Sequence, residues 1–310
     1  MKRLRLIGWL FVFAMTTSLT AQVVPEWPVV ARLFFTVNPA MTASKDQTTL
    51  QLMHGKMWSR IKSSPSQSGL AYSSPVSDQR MGIGGQIFNE TIGPIRQTGI
   101  LASYAYRFSL GRTGRDQLSL GLGIRLQHIR IDKSHFIAQD QHDPLIGILE
   151  GNRWSSPSFS LGFRYRTAPP TVSDPVQFIL AASMTRVVPF GERFATAQLD
   201  ERQFYYGLAG MTIFASDRLE LEPTLLWSMT ESGNRQFGLR VKSTHTDFGW
   251  LMAQYVRSAF FTTQLGIPLD IVGKGALELS LTYGWYFGTI SKQLGNSYTL
   301  GVTYFFESVK

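Results

Sequence analysis

From Leu277 to Phe287 every second residue is large and apolar: Leu277, Leu279, Leu281, Tyr283, Trp285 and Phe287. Between them stand Glu278, Ser280, Thr282, Gly284 and Tyr286. A period of two puts these sets on opposite faces of a β-strand. A soluble sandwich buries such a face against a second sheet, but its strands usually stop after about five or six residues. Eleven residues rise roughly 36 Å, and a tilt of ~40° leaves about 28 Å along a membrane normal. That is close to the apolar band of an outer-membrane barrel. The aromatics crowd one end of the stripe, as they do where hydrocarbon meets headgroup.

The pattern recurs. Leu118, Leu120, Leu122, Ile124 and Leu126 oppose Ser119, Gly121, Gly123, Arg125 and Gln127. Phe159, Leu161, Phe163 and Tyr165 oppose Ser158, Ser160, Gly162 and Arg164, and Tyr298 to Phe306 repeat the scheme. Alternation and turn residues together predict about fourteen strands between residues 48 and 306. The expected fold is an all-β transmembrane antiparallel barrel of that size. An even count suits single-chain bacterial barrels. With both termini periplasmic, the two longest connections, near 130–156 and 186–203, fall on the outer side. Long loops belong there and short turns on the periplasmic side; the connection at 167–175 is longer than a standard periplasmic turn.

The N-terminus changes the picture by adding an export route. Lys2, Arg3 and Arg5 precede an apolar run from Leu6 to Met15, and small or polar residues follow up to Ala21. This predicts a signal peptide over 1–21, a periplasmic lead-in segment over 22–47, and a barrel over 48–310 in the outer membrane. The chain has no cysteine, which excludes disulfides, thiolate metal sites and a cysteine nucleophile. The net charge of +9 is scattered among strand-like segments rather than clustered, which argues against nucleic acid as a partner.

Candidate chemistry is sparse. Arg107, Arg125, Arg164, Glu220, Glu222, Arg240, Lys242 and Glu278 are expected to face the lumen. A polar lumen suits a diffusion porin, and equally a filled barrel whose inner groups satisfy one another. Asp140, His142 and Asp143 on the longest loop have weak metal-ligand spacing. No G-x-S-x-G marks a nucleophile, so no enzyme is expected; the weak loop spacing and the glycines below likewise leave no metal or cofactor expected. The glycines of "GIGGQ" (82–86) and "GLG" (121–123) open no helix and are read as strand glycines facing a crowded lumen. The loop residues Phe136, Leu145, Ile146 and Trp154 are too apolar for a solvated loop, and mark a partner-facing surface or an inward plug.

"FFTVNPAMTAS" at 34–44 resembles the "P-L-x-x-N-P-A-x-x-G" lead-in of the PorP/SprF family, outer-membrane proteins of type IX secretion and gliding in Bacteroidetes. "LQLMHGKMWS" at 50–59, "MGIGGQIFNETIGPIRQTGILASYAYRFSL" at 81–110, "LSLGLGIRLQ" at 118–127 and "PSFSLGFRY" at 157–165 follow in the family's order. Two departures stand out: "QVVPEW" replaces the usual opening at 22–27, and Ala43 stands where the motif has glycine. The resemblance covers most of 34–165 and singles out Asn38, Pro39 and Ala40. It implies a non-enzymatic barrel that docks or anchors exported proteins. Its implied partners are periplasmic ring components of the type IX apparatus and an exported substrate or adhesin. A general or substrate-specific porin is the alternative.

Overall fold

The computed structural model of the protein describes residues 34–44, 47–76, 80–111, 114–131, 153–171, 174–187, 203–231, 233–257, 260–270, 275–287 and 291–306. Fourteen strands follow two short 3-10 turns. They are β1 (Thr49–Lys56), β2 (Ser66–Val76), β3 (Met81–Ile92), β4 (Ile95–Leu110), β5 (Asp116–Ile131), β6 (Arg153–Arg166) and β7 (Val176–Val187). The second half holds β8 (Phe204–Ser216), β9 (Leu219–Thr230), β10 (Arg235–His245), β11 (Gly249–Val256), β12 (Phe260–Asp270), β13 (Gly275–Tyr286) and β14 (Ser297–Phe306).

Each strand pairs antiparallel with its sequence neighbours, and β14 returns to β1 to close the barrel. The closing seam runs in unbroken register from Thr49↔Phe305 to Lys56↔Tyr298. Closure is what lipid demands, because an open edge would leave a row of amides and carbonyls unpaired in hydrocarbon.

The faces separate as the alternation predicts. Leu281 is 46% exposed while its neighbour Ser280 is 8% exposed, and the same contrast runs through β4, β5 and β14. The outward set is a lipid-facing band. The inward set fills the lumen, so the core of this molecule lies inside the barrel.

The wall is uneven in height. β4 and β5 have 16 residues each, β1 and β11 only 8. β6 begins at Arg153, four residues before the alternation places it, and Trp154 pairs with Ile129 within the sheet instead of standing in the loop. The physical reason is that β5 runs to Ile131, and its edge groups need a partner strand. Ser155, Ser156 and Pro157 break the apolar alternation there and conceal the pairing.

Candidate functional site

The lumen contains a piece of the chain itself. Residues 34–44, most of what is described of the expected lead-in, cross the inside of the barrel. Two 3-10 turns, Phe34–Thr36 and Pro39–Met41, shape this segment. Asn38 sits between them in an extended conformation and caps the second, its Oδ1 accepting from Ala40 N–H at 3.0 Å. Pro39 occupies the first position of that turn, where a missing N–H costs nothing and the fixed φ helps. The Asn38 amide nitrogen then reaches the wall, donating to the carbonyls of Phe163 (3.1 Å) on β6 and Ala182 (3.2 Å) on β7. One side chain thus caps a turn with its oxygen and ties the turn to two strands with both N–H groups. Aspartate has no such donors.

Glycines make the seat. A methyl group on Gly121 would lie 2.1 Å from the Ala40 nitrogen, and one on Gly162 would lie 2.1 Å from Asn38 Oδ1. On β3, a methyl on Gly82 would meet the Thr42 carbonyl oxygen at 2.5 Å, and one on Gly84 the Thr42 methyl at 2.9 Å. At Gly121 and Gly82 backbone presses directly on backbone, at Gly162 and Gly84 the wall meets the Asn38 and Thr42 side chains, and at each point an added side chain would hold the segment off the wall. The glycines of "GIGGQ" and "GLG" split accordingly: Gly82, Gly84, Gly121 and Gly123 face inward, whereas Gly85 meets only the Leu101 carbonyl at 3.5 Å.

Further anchors lie along the segment. Ser183 Oγ donates to the Val37 carbonyl at 2.7 Å. Thr42 Oγ1 donates to the Pro39 carbonyl at 2.7 Å, and the Thr42 and Ser103 hydroxyls hydrogen-bond at 2.9 Å. Ala43 N–H donates to Ser73 Oγ at 3.1 Å. The buried Arg107 guanidinium donates to the carbonyls of Thr42 (2.9 Å) and Ala43 (2.5 Å). Ala43, where the family motif has glycine, has a φ of 52°. That left-handed conformation strains an alanine by roughly 1–2 kcal/mol and leaves a glycine unstrained, so the motif position reflects backbone geometry.

Apolar side chains reach the remaining wall. Phe35 packs with Met53, Ala71 and Leu101. Val37 packs with Tyr206, Leu226, Val256 and Phe260, flanked by Phe204, Leu208 and Tyr286. Between its hydrogen bonds and these contacts, an eleven-residue segment touches strands from β1 round to β12. Above it, Phe204 stacks on Tyr206, and Tyr286 meets Phe260 and Trp58 edge-on. Among the described residues, the middle of the lumen is occupied.

The end where β1 begins and β14 ends is polar and open. Two cavities of about 170 and 290 Å³ flank Phe34, Met41 and Ser44 there. Lys242 Nζ lies 3.4 Å from Glu222 Oε2, Trp250 Nε1 donates to Glu278 Oε2 at 2.8 Å, and Arg240 lies over the Phe34 ring at 4.5 Å. The expected inward charges are therefore placed: Arg107, Arg164, Arg240 and Glu278 are buried, and Arg125, Glu220, Glu222 and Lys242 are half-buried.

Asn38, Pro39 and Ala40 are thus brought together on the lumen wall. Phe136, Leu145 and Ile146 lie outside the described residues, as do Asp140, His142 and Asp143 and the signal-like segment 1–21. Among the described residues no cluster of His, Asp or Glu could hold a metal ion. Sequence reasoning missed Ser183, Ser73 and Ser103 as anchors, because an inward serine in a polar lumen carries no distinguishing signal. It also missed Arg107 as the clamp on this segment. The glycines were the available signal.

Residues 33–304 match the family model described as type IX secretion system membrane protein PorP/SprF. The chain belongs to this family. It is an integral outer-membrane β-barrel. No curated protein matches the sequence. Among solved structures, the PorP/SprF chain is similar to the toluene transporter TodX of Pseudomonas putida at 8% identity, covering 89% of this chain and 94% of that one with a TM-score of 0.53. It is also similar to the CymD monoaromatic hydrocarbon channel at 10% identity, covering 88% and 92% with a TM-score of 0.53. At such identities the likeness shows a shared barrel fold alone.

Proposed function

We propose that this PorP/SprF barrel is a non-enzymatic docking unit of the type IX apparatus that anchors an exported substrate or adhesin at the cell surface. Periplasmic ring components are its partners on the other side. The observation that supports this reading is the occupied lumen. Residues 34–44 are held by Asn38, Ser183, Thr42 and Arg107 and seated on glycines, which suits a scaffold better than a conduit. A diffusion channel would need that segment to leave. At the polar mouth the half-buried Glu222 and Lys242 are the charged groups within reach of a periplasmic partner. On the cell-surface side, the apolar residues Phe136, Leu145 and Ile146, with Trp154 at the start of β6, are the candidate contacts.

Affinity purification of the tagged barrel from outer membranes, with mass spectrometry of what co-purifies, tests the reading. Single-channel recording on the same preparation completes the test. Type IX components and an exported protein in the eluate, with a silent barrel in the bilayer, are expected. Steady conductance with no such partner would favour the porin alternative.

A further inference from the structure

We propose that the outward face of β4 and β5, just above the apolar band, binds the phosphate of an outer-leaflet lipid headgroup. Three arginines fall on one row of the sheet: Arg96 on β4 is directly opposite Arg130 on β5, and Arg130 is opposite Arg153 on β6. Arg96 and Arg130 are exposed and share the face of the lipid-exposed Ile100 and Leu126. Like charges directly opposite each other in a sheet repel, so the row costs stability unless an anion lies between them. Among the described residues neither has a carboxylate partner: Glu90, on the neighbouring strand, faces the lumen and accepts from Gln67 Nε2.

The height fits a headgroup. Ile100 and Leu126, 52% and 49% exposed, form the last apolar row. One step above stand Thr98 and His128, the latter hydrogen-bonded to Ser155 at 3.3 Å, and one step further the arginines. Two rows are four residues, about 13 Å along a strand and about 10 Å along the normal after tilting. That places guanidinium groups beyond the hydrocarbon, at the level where lipid phosphates lie, at the end whose long connections assign it to the cell surface. Guanidinium pairs are well shaped to bind phosphate oxygens bidentately.

The patch is local. On the other side of the barrel the corresponding interface is aromatic, with Tyr255 against Phe287 at 6.0 Å and Phe261 against Trp285 at 5.6 Å. Among the described residues, the tall strands β4 and β5, with the start of β6, carry their pairing far enough above the apolar band to present a cationic row. One sector thus anchors to the interface by rings, the other by charge.

The test titrates the purified full-length barrel in detergent with diphosphoryl lipid A, and separately with the same lipid after removal of its phosphates. Native mass spectrometry reads bound lipid per barrel. Wild type is expected to prefer the phosphorylated form. Changing Arg96→Ala and Arg130→Ala together should weaken its binding about thirtyfold, as two basic residues at an anionic surface supply. Arg218→Ala, an exposed arginine at the opposite end, should change nothing. Heat-modifiable gel mobility checks that each variant folds, and Arg96→Gln alone, expected to lose about fivefold, serves if the double variant does not. Three results overturn the proposal: equal binding by a folded double or single variant, equal binding of the dephosphorylated lipid, or displacement of the lipid by inorganic phosphate alone, which would mark a free-anion site.

Discussion

Gly121→Ala should unseat the segment that fills the lumen. The added methyl would lie 2.1 Å from the Ala40 nitrogen and 2.2 Å from the Pro39 carbonyl carbon. Both are backbone atoms, and neither can rotate aside. Ordinary contact begins near 3.4 Å, so the turn must retreat by about 1 Å. The Asn38 bonds to Phe163 and Ala182 are already 3.1 and 3.2 Å, and a retreat of that size breaks them. Overpacking costs about 1–3 kcal/mol, and two hydrogen bonds add about 0.5–1.5 kcal/mol each. The seated state therefore loses about 2–6 kcal/mol. At about 1.4 kcal/mol per tenfold, exchange protection within the segment should fall at least about thirtyfold.

The assay is hydrogen exchange on the folded protein in micelles, read on the peptide that carries residues 34–44. Its amides of Asn38, Met41, Thr42 and Ser44 donate to main-chain carbonyls within the segment and report its integrity directly. Gly85→Ala is the control: it adds the same methyl to the same sheet, but meets only the Leu101 carbonyl at 3.5 Å. The control should leave exchange unchanged, and both variants should retain heat-modifiable mobility. A folded Gly121→Ala barrel whose segment keeps wild-type protection would refute the reasoning, because the segment could not then be resting on Gly121.

Leu281→Arg, mid-strand on the lipid face, should cost about 2–4 kcal/mol and impair assembly in a heat-modifiability assay, whereas Phe287→Arg at the rim of the same stripe should cost about 0–1 kcal/mol; equal defects would mean the depth assignment is wrong. Trp250→Phe removes the indole donor to Glu278 and leaves that buried carboxylate one partner short, so urea unfolding should show a loss of about 1–3 kcal/mol. Gly266→Ala, whose methyl would lie 2.2 Å from the indole ring, should reproduce that loss by displacing the same ring, and a neutral result for both would separate Trp250 from barrel stability.

The barrel was legible because period-two alternation is a direct record of two solvents. Leu279, Leu281 and Trp285 face lipid, and Glu278, Ser280 and Thr282 face the lumen, as the letters alone indicate. Where the wall rises beyond the lipid, that record fades. The start of β6 carries serines and a proline, and is held by pairing with β5, so Trp154 reads as loop. The lumen segment was legible only as a motif. Asn38-Pro39-Ala40 has the signature of a capped turn, but a local pattern says nothing about which distant strands receive it. Phe163 and Ala182 contribute backbone carbonyls, which any residue would supply.

The two halves of the barrel hold the segment by different means, and this accounts for where the legible motifs lie within a family match that spans residues 33–304. β3, β5 and β6 meet it so closely that a methyl at Gly82, Gly84, Gly121 or Gly162 would lie within 2.9 Å of it, and that contact requires glycine. A requirement for one residue type at fixed positions leaves a recognisable spelling, and the quoted family blocks between 34 and 165 coincide with that seat. β8, β9, β11 and β12 meet it through Tyr206, Leu226, Val256 and Phe260, a wall that many apolar combinations of similar volume could build. Such a wall leaves only alternation for the eye, so no motif was legible in the second half of the sequence, although the family match runs through it to residue 304. The segment and its glycine seat thus form one unit: the motif at Asn38 has meaning only opposite Gly121 and Gly162, and those glycines are explained only by what rests on them.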